Sequence, residues 1–261
     1  MAKLTLDWRE RRVDLEYHWV NTNQVDTNSP VMVFLHEGLG SVALWKDFPE
    51  KLCMRIGMRG LIYSRPGYGQ STPRAKEAHW APDFMHHQAH EVLPMLLQAL
   101  SIDQAWLFGH SDGGSIALLF AAKFPATPSG VIMVAPHLFV EQISIDSIQI
   151  ARQAYLQGDL RERLARYHDD VDSAFFGWND AWLSPAFASW NIEESIPEIR
   201  CPILAMQGEQ DEYGSLQQIQ RIQALKPTAA VVSLPNCGHS AHRDQPDLLM
   251  KTVADFIQPL R

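Results

Sequence analysis

Cysteine is scarce in this chain, no hydrophobic run is long, and positive charge is in deficit; each shortage removes a class of protein. Cys53, Cys201 and Cys237 are the only cysteines, odd in number and without a C-x-x-C pair, so neither a zinc ribbon nor a disulfide framework is signalled. No apolar stretch nears the roughly 20 residues needed to cross a bilayer. The opening "MAKLTLDWRERR" turns charged too soon for a signal peptide. Lys and Arg number 22 against 30 Asp and Glu, a net charge of −8. That is the wrong sign for gripping nucleic acid or an anionic membrane surface. Internal repeats and low-complexity tracts are missing as well. These features point to a soluble, cytoplasmic protein with a small-molecule partner, no nucleic-acid or membrane partner, and no metal or cofactor; they leave the oligomeric state open.

The chain does have apolar residues in quantity, 46% of 261, and their spacing is informative. Alternation in "KLTLDW" and "VDLEYHWV" reads as two half-exposed antiparallel strands. "PVMVFLH" is continuously apolar, as in a strand buried on both faces, and the signature returns in "GLIYSRPG", "QAWLFGHS", "GVIMVAP", "CPILAMQG" and "AAVVSLPN". Helical patterns separate these runs, which implies a doubly wound, mostly parallel α/β sheet. Pro94, inside the long pattern "DFMHHQAHEVLPMLLQAL", predicts a kink without a break. From about His137 to Pro197 the pattern is helical, strand-free and aromatic. It reads as an insertion above the carboxyl edge of the sheet. The division is thus a core of residues 1–136 and 198–261, with 137–197 inserted.

The sharpest motif is Gly109-His110-Ser111-Asp112-Gly113 within "WLFGHSDGGSIALLF". A buried strand precedes this G-x-S-x-G pattern and a small-residue helix follows, the context of a strained turn that exposes a serine hydroxyl. The helix N-terminus there favours developing negative charge. A serine nucleophile needs a base, and the base an orienting acid. Asp211 follows the strand "CPILAMQG" and His239 follows "AAVVSLPN", giving the order Ser, Asp, His expected at the carboxyl ends of parallel strands. Glu209 and Glu212 compete with Asp211. His242 competes with His239, but lies toward the last helix and reads as a capping or surface residue. Asp112, beside the elbow serine, reads as a cap for its helix.

Together, "LHEGLGS", "YSRPGYGQS", "GHSDGG", the insertion, "GEQDEYG" and "CGHSAHRDQP" resemble the α/β-hydrolase fold superfamily, in its capped, esterase-like form, over nearly the whole chain. The resemblance implies a doubly wound, mostly parallel sheet with a helical cap after the sixth strand. It implies Ser111 as nucleophile, His239 as general base and then acid, and Asp211 as orienting acid. The oxyanion would be held by the N–H groups of Gly38 and Asp112. The expected chemistry is hydrolysis of a carboxylic ester or lactone through an acyl-enzyme. Carbon–carbon cleavage of a ring-fission product, thioester hydrolysis and a non-catalytic receptor are the alternatives. A diacid substrate would call for a cleft arginine, for which Arg152 and Arg65 are candidates.

Three further features carry expectations. Phe175, Phe176, Trp178, Trp182 and Trp190 form the cap's own core, with one or two facing the cleft as substrate contacts. His86 and His90, four apart on one helix face, invite a metal, yet a packed or solvated face explains them without a third ligand. Finally, most family members carry glycine at the position of Glu37 and many an aspartate at that of Ser64. An acid is thus displaced between adjoining loops. The expected site surroundings are His36, Glu37, Arg65 and His110, with Glu37 turned from the oxyanion, paired with Arg65 or a backbone donor and so bracing the two loops; the alternative is that Glu37 lines the cleft, positions water or repels anionic substrates.

Overall fold

Each apolar run becomes a strand of one sheet. The computed structural model describes residues 1–75 and 78–260. Its strands are β1 Ala2–Trp8, β2 Arg11–Val20, β3 Val31–Leu35, β4 Arg59–Tyr63, β5 Ala105–His110, β6 Pro128–Val134, β7 Ile203–Gly208 and β8 Ala230–Leu234, in the order β1-β2-β4-β3-β5-β6-β7-β8. β2 pairs antiparallel with β1 and β4; from β4 to β8 every pairing is parallel. Side chains alternate between two cores: Val31, Val33 and Leu35 enter one, Met32 and Phe34 the other. The central strands are buried on both faces as expected, but β8 is only half-buried. It is one of the two edge strands, with a neighbour on one side only.

Helices cover both faces. α1 Phe48–Ile56 packs beside the last long helix, α10 Pro246–Ile257, preceded by the short α9 Ala241–Asp244. On the opposite face lie α2 Phe84–His87, α3 Leu93–Ala99, α4 Asp112–Lys123 and α8 Gln217–Leu225. A π-helical stretch, Gln88–Val92, joins α2 to α3 directly before Pro94. The wide turn accommodates the ring and missing N–H, so the helix continues through the proline.

Between β6 and β7 the chain forms no sheet strand. It builds α5 Gln142–Gln157, α6 Leu160–Leu164 and α7 Val171–Trp182, then 3₁₀ turns at Pro185–Phe187 and Glu193–Glu198. Asp170 caps α7 by accepting from the Ser173 N–H at 2.8 Å. Among the described residues no helix is long and apolar enough to cross a membrane.

Strand order reverses between β3 and β5, since the chain runs from β3 to β4 and then crosses back. Sheets of this kind carry their sites at the carboxyl ends beside such a reversal. Here those ends lead into His36-Glu37-Gly38 and His110-Ser111.

Candidate active site

Ser111 joins β5 to α4 with φ +54°, a left-handed conformation unusual for a non-glycine residue. The turn closes only because its flanks lack side chains. A Cβ on Gly113 would lie 2.1 Å from the Leu35 carbonyl oxygen, and one on Gly109 2.3 Å from that of Gly113. The Ser111 N–H is tied to the Val134 carbonyl at 2.9 Å.

Asp211 and His239 leave the ends of β7 and β8 and meet. His239 Nδ1 lies 2.9 and 3.0 Å from the two carboxylate oxygens. Asp211 also accepts from the Tyr213 N–H at 2.8 Å, the Gly214 N–H at 3.3 Å and Gln207 Nε2 at 3.0 Å. Burial would raise the Asp211 carboxyl, but the facing imidazole and the Tyr213 N–H hold it below the usual carboxylate range. Burial would lower His239, yet Asp211 outweighs it and the imidazole is raised above its ordinary value. Glu212 engages the backbone instead, accepting from the His239 N–H at 3.1 Å. Glu209 meets Ser233 Oγ at 3.4 Å.

The Ser111 hydroxyl makes no hydrogen bond to His239. Its partner is His137 Nε2 at 3.5 Å, a residue the sequence did not single out. His137 follows β6 at a strand's carboxyl end, the one signal that could have marked it. It is buried, its Nδ1 has no partner, and burial pushes it down to about 3. The N–H groups of Gly38 and Asp112 donate to no group among the described residues, and both residues line the cavity above Ser111.

Glu37 departs from expectation. Arg65 Nη2 donates to the Glu37 carbonyl at 2.8 Å, whereas the carboxylate faces His110 Nδ1 across 3.5 Å. His110 Nε2 in turn lies 2.8 Å from the His239 carbonyl. A carbonyl only accepts, so Nε2 carries a proton, and Nδ1 is the ring atom turned to the Glu37 carboxylate. Burial opposes ionisation of Glu37, but the His110 contact prevails and holds it well below the carboxylate range. The brace between the loops is supplied elsewhere. The buried Glu16 accepts from Ser64 Oγ at 2.6 Å and from the Gln70 N–H at 2.9 Å, while Ser64 Oγ accepts from the Val42 N–H.

Arg65 is fully buried. Its N–H donates to His36 Nε2 at 3.0 Å, and His36 Nδ1 donates to the Glu37 carbonyl at 2.7 Å. Asp112 does not cap α4: its carboxylate accepts from Trp182 Nε1 at 3.2 Å and lies 3.9 Å from Arg65 Nη2. Burial raises its carboxyl.

The cavity has a volume of about 580 Å³. Trp178 and Trp182 line it; Phe175, Phe176 and Trp190 do not. Phe175 stacks on Tyr155 at 3.7 Å, Phe176 packs edge-on against both and under Arg152, and Trp190 stacks on Phe187. Phe175 and Trp190 are buried in the packing of this insertion, and Phe176 is half-buried beside them. Neither proposed cleft arginine lines the cavity: Arg152 is bound to Asn179 and Asp180, both at 2.6 Å. His242 is not at the surface but buried among Trp45, Phe48 and His110. His86 and His90 meet edge to face at 5.7 Å.

The profile of the alpha/beta hydrolase family matches residues 32–252. The chain belongs to that family. Curated relatives of the hydrolase include the 2-hydroxy-6-oxo-6-phenylhexa-2,4-dienoate hydrolase of Burkholderia cepacia, 22% identical over 87% of each chain. Another is the sn-1-specific diacylglycerol lipase ABHD11 of Mus musculus, 23% identical over 89% of this chain and 82% of its own. Among solved structures, a carboxylesterase study of Nitrososphaera gargenis provides one with TM-score 0.78, 18% identity and 98% coverage of both chains. The enol-lactonase of Burkholderia xenovorans superposes with TM-score 0.73 at 20% identity, covering 98% of this hydrolase and 100% of the lactonase.

Proposed function

We propose that this hydrolase cleaves a carboxylic ester or lactone of a small, partly apolar substrate through an acyl-enzyme. The observation that carries the reading is the two-oxygen Asp211–His239 contact beside the strained Ser111 turn. Ser111 Oγ attacks the acyl carbon while His239 Nε2 takes its proton. The resulting oxyanion accepts from the free N–H groups of Gly38 and Asp112, each worth about 3 kcal/mol to the transition state. His239 then protonates the departing alcohol, and water repeats the sequence to release the acid.

For this to occur the hydroxyl turns from His137 toward His239 on substrate binding, a tightening common to sites without ligand. His137 is the poorer base. Its Nδ1 has no hydrogen-bond partner among the described residues, and the more distant Asp211 only partly offsets the burial that disfavours its imidazolium. Residues 137–197 act as the cap, presenting Trp178 and Trp182 to apolar parts of the substrate.

Carbon–carbon hydrolysis is the second reading, favoured by the relative named for a dienoate substrate. Thioester cleavage would use the same groups. Turnover of p-nitrophenyl butyrate and labelling by a fluorophosphonate both test the proposal. Ser111→Ala should abolish both; hydrolysis that survives the substitution would overturn it, and a dienoate turned over in place of the ester would select the second reading.

A further inference from the structure

The cavity above Ser111 changes sign from its inner end to its mouth. Inside, the carboxylates of Glu37 and Asp112 are largely shielded from solvent. At the exposed end the charged lining residues are Lys46, Arg163, Arg166, Arg243 and a single acid, Glu212. Four of five are cationic in a chain whose acids outnumber its bases 30 to 22. Glu212 is engaged by the His239 N–H, and Arg163 is shared with Asp159 at 3.6 Å. The side chains of Lys46, Arg166 and Arg243 make no hydrogen bond or ion pair among the described residues. The cations come from three parts of the chain. Arg163 and Arg166 lie in and just after α6, Lys46 follows the β3 loop, and Arg243 stands on α9, four residues beyond His239.

Such a mouth attracts anions and raises their local concentration. The carboxylates inside are offset by Arg65 and faced by His110 behind the wall, and no lysine or arginine lines that end, so a negative group next to the reacting carbonyl meets no cation there. An anion several bonds away meets only the cations, so the two charge zones fix which end of a substrate enters first. We propose that the natural substrate carries a carboxylate remote from its scissile bond, recognised by Lys46, Arg163, Arg166 and Arg243. This rests on the acyl-hydrolase reading above. Exposed cations act through a screened field, so the preference is sensitive to salt.

The test compares mono-p-nitrophenyl adipate with the neutral p-nitrophenyl hexanoate, as a ratio of kcat/KM. At low salt the ratio should favour the adipate and decline as sodium chloride is added. In Arg166→Glu/Arg243→Glu it should fall about tenfold. A ratio that neither salt nor the double variant moves overturns the proposal. Lys46→Gln/Arg163→Gln supplies the same readout if the first variant does not fold. Should wild type hydrolyse neither ester and resist the fluorophosphonate, the acyl-hydrolase reading fails. Adipate binding to Ser111→Ala, followed by calorimetry, then decides the charge argument. Affinity about tenfold weaker with the two reversals supports it, and equal or undetectable affinity with and without them overturns it.

Discussion

Asp211→Asn removes one charge with almost no change of shape, and its effect can be worked from three distances. The carboxylate sits about 3 Å from His239 Nδ1. At that separation, with an effective dielectric constant of about 20, a full charge pair is worth about 5 kcal/mol. The pair exists only once His239 has taken the serine proton, so the loss falls on the transition state. About 5 kcal/mol corresponds to a 10⁴-fold drop in kcat. Geometry adds to it. The asparagine oxygen must stay toward the Tyr213 and Gly214 N–H groups, which sets its NH₂ against Gln207 Nε2, another donor, at 3.0 Å. Turning the amide over relieves that clash but sets the NH₂ against the Tyr213 and Gly214 N–H groups, and in either orientation one of the two contacts to His239 Nδ1 becomes a donor, which favours the wrong tautomer. The pH profile gives a second readout. His239 works as a base only when neutral, and its pKa is raised above the ordinary 6.5, chiefly by Asp211 against the opposing effect of burial. Wild-type activity should therefore rise with pH through a limb centred above 6.5, and the limb should move down in Asp211→Asn. Tyr213, His110 and His137 also face the ring, Glu212 and Glu37 act on it from further off, and all stay in place. Steady-state kinetics on p-nitrophenyl butyrate from pH 5 to 9 measures both. A kcat within tenfold of wild type with an unmoved limb would refute the reasoning.

Three other substitutions probe the surroundings. Gly113→Ala drives a methyl into the Leu35 carbonyl, which is fixed in the β3 backbone; it should lose about 3 kcal/mol or more in denaturant unfolding, and an unchanged midpoint would contradict the packing. Glu37→Gln should cost about 2 kcal/mol at neutral pH and lower kcat by loosening His110 behind the His239 carbonyl. Because folding lowers the Glu37 pKa, its contribution is complete above the ordinary 4.5 and fades as acid protonates the folded carboxyl, so the two unfolding curves should converge below that value. His137→Phe removes one long contact that Ser111 gives up on substrate binding and should leave kcat within about tenfold of wild type; a loss as large as that of His239→Ala would make His137 the base.

Much of the fold was legible because burial on two faces leaves a continuous apolar run that survives in one dimension. The runs that became β3 to β7 needed no partner to be recognised, and only β8 misled, since an apolar run does not say which strand lies at the edge. The placement of Ser111, Asp211 and His239 at one edge of the sheet was legible for a related reason: each follows such a run, and parallel strands deliver their ends to one side. That the helix runs on through Pro94 without a break was read correctly because its missing N–H is local chemistry. Glu37, His242 and Asp112 were misread because their partners are remote in the chain. Glu37 meets a histidine 73 positions on, and its carbonyl, not its carboxylate, holds Arg65. The brace expected of it falls to Glu16, whose place opposite Ser64 depends on β2 pairing with β4.

The sequence by itself determined the strand–helix alternation, the elbow glycines and the chain order of three chemically matched side chains, all consequences of local sterics and burial. Tertiary structure alone decided which histidine stands beside the Ser111 hydroxyl, which indoles face the cavity and which cations surround its mouth. Those choices depend on how separate elements cross in space, and spacing along the chain carries no record of the crossing.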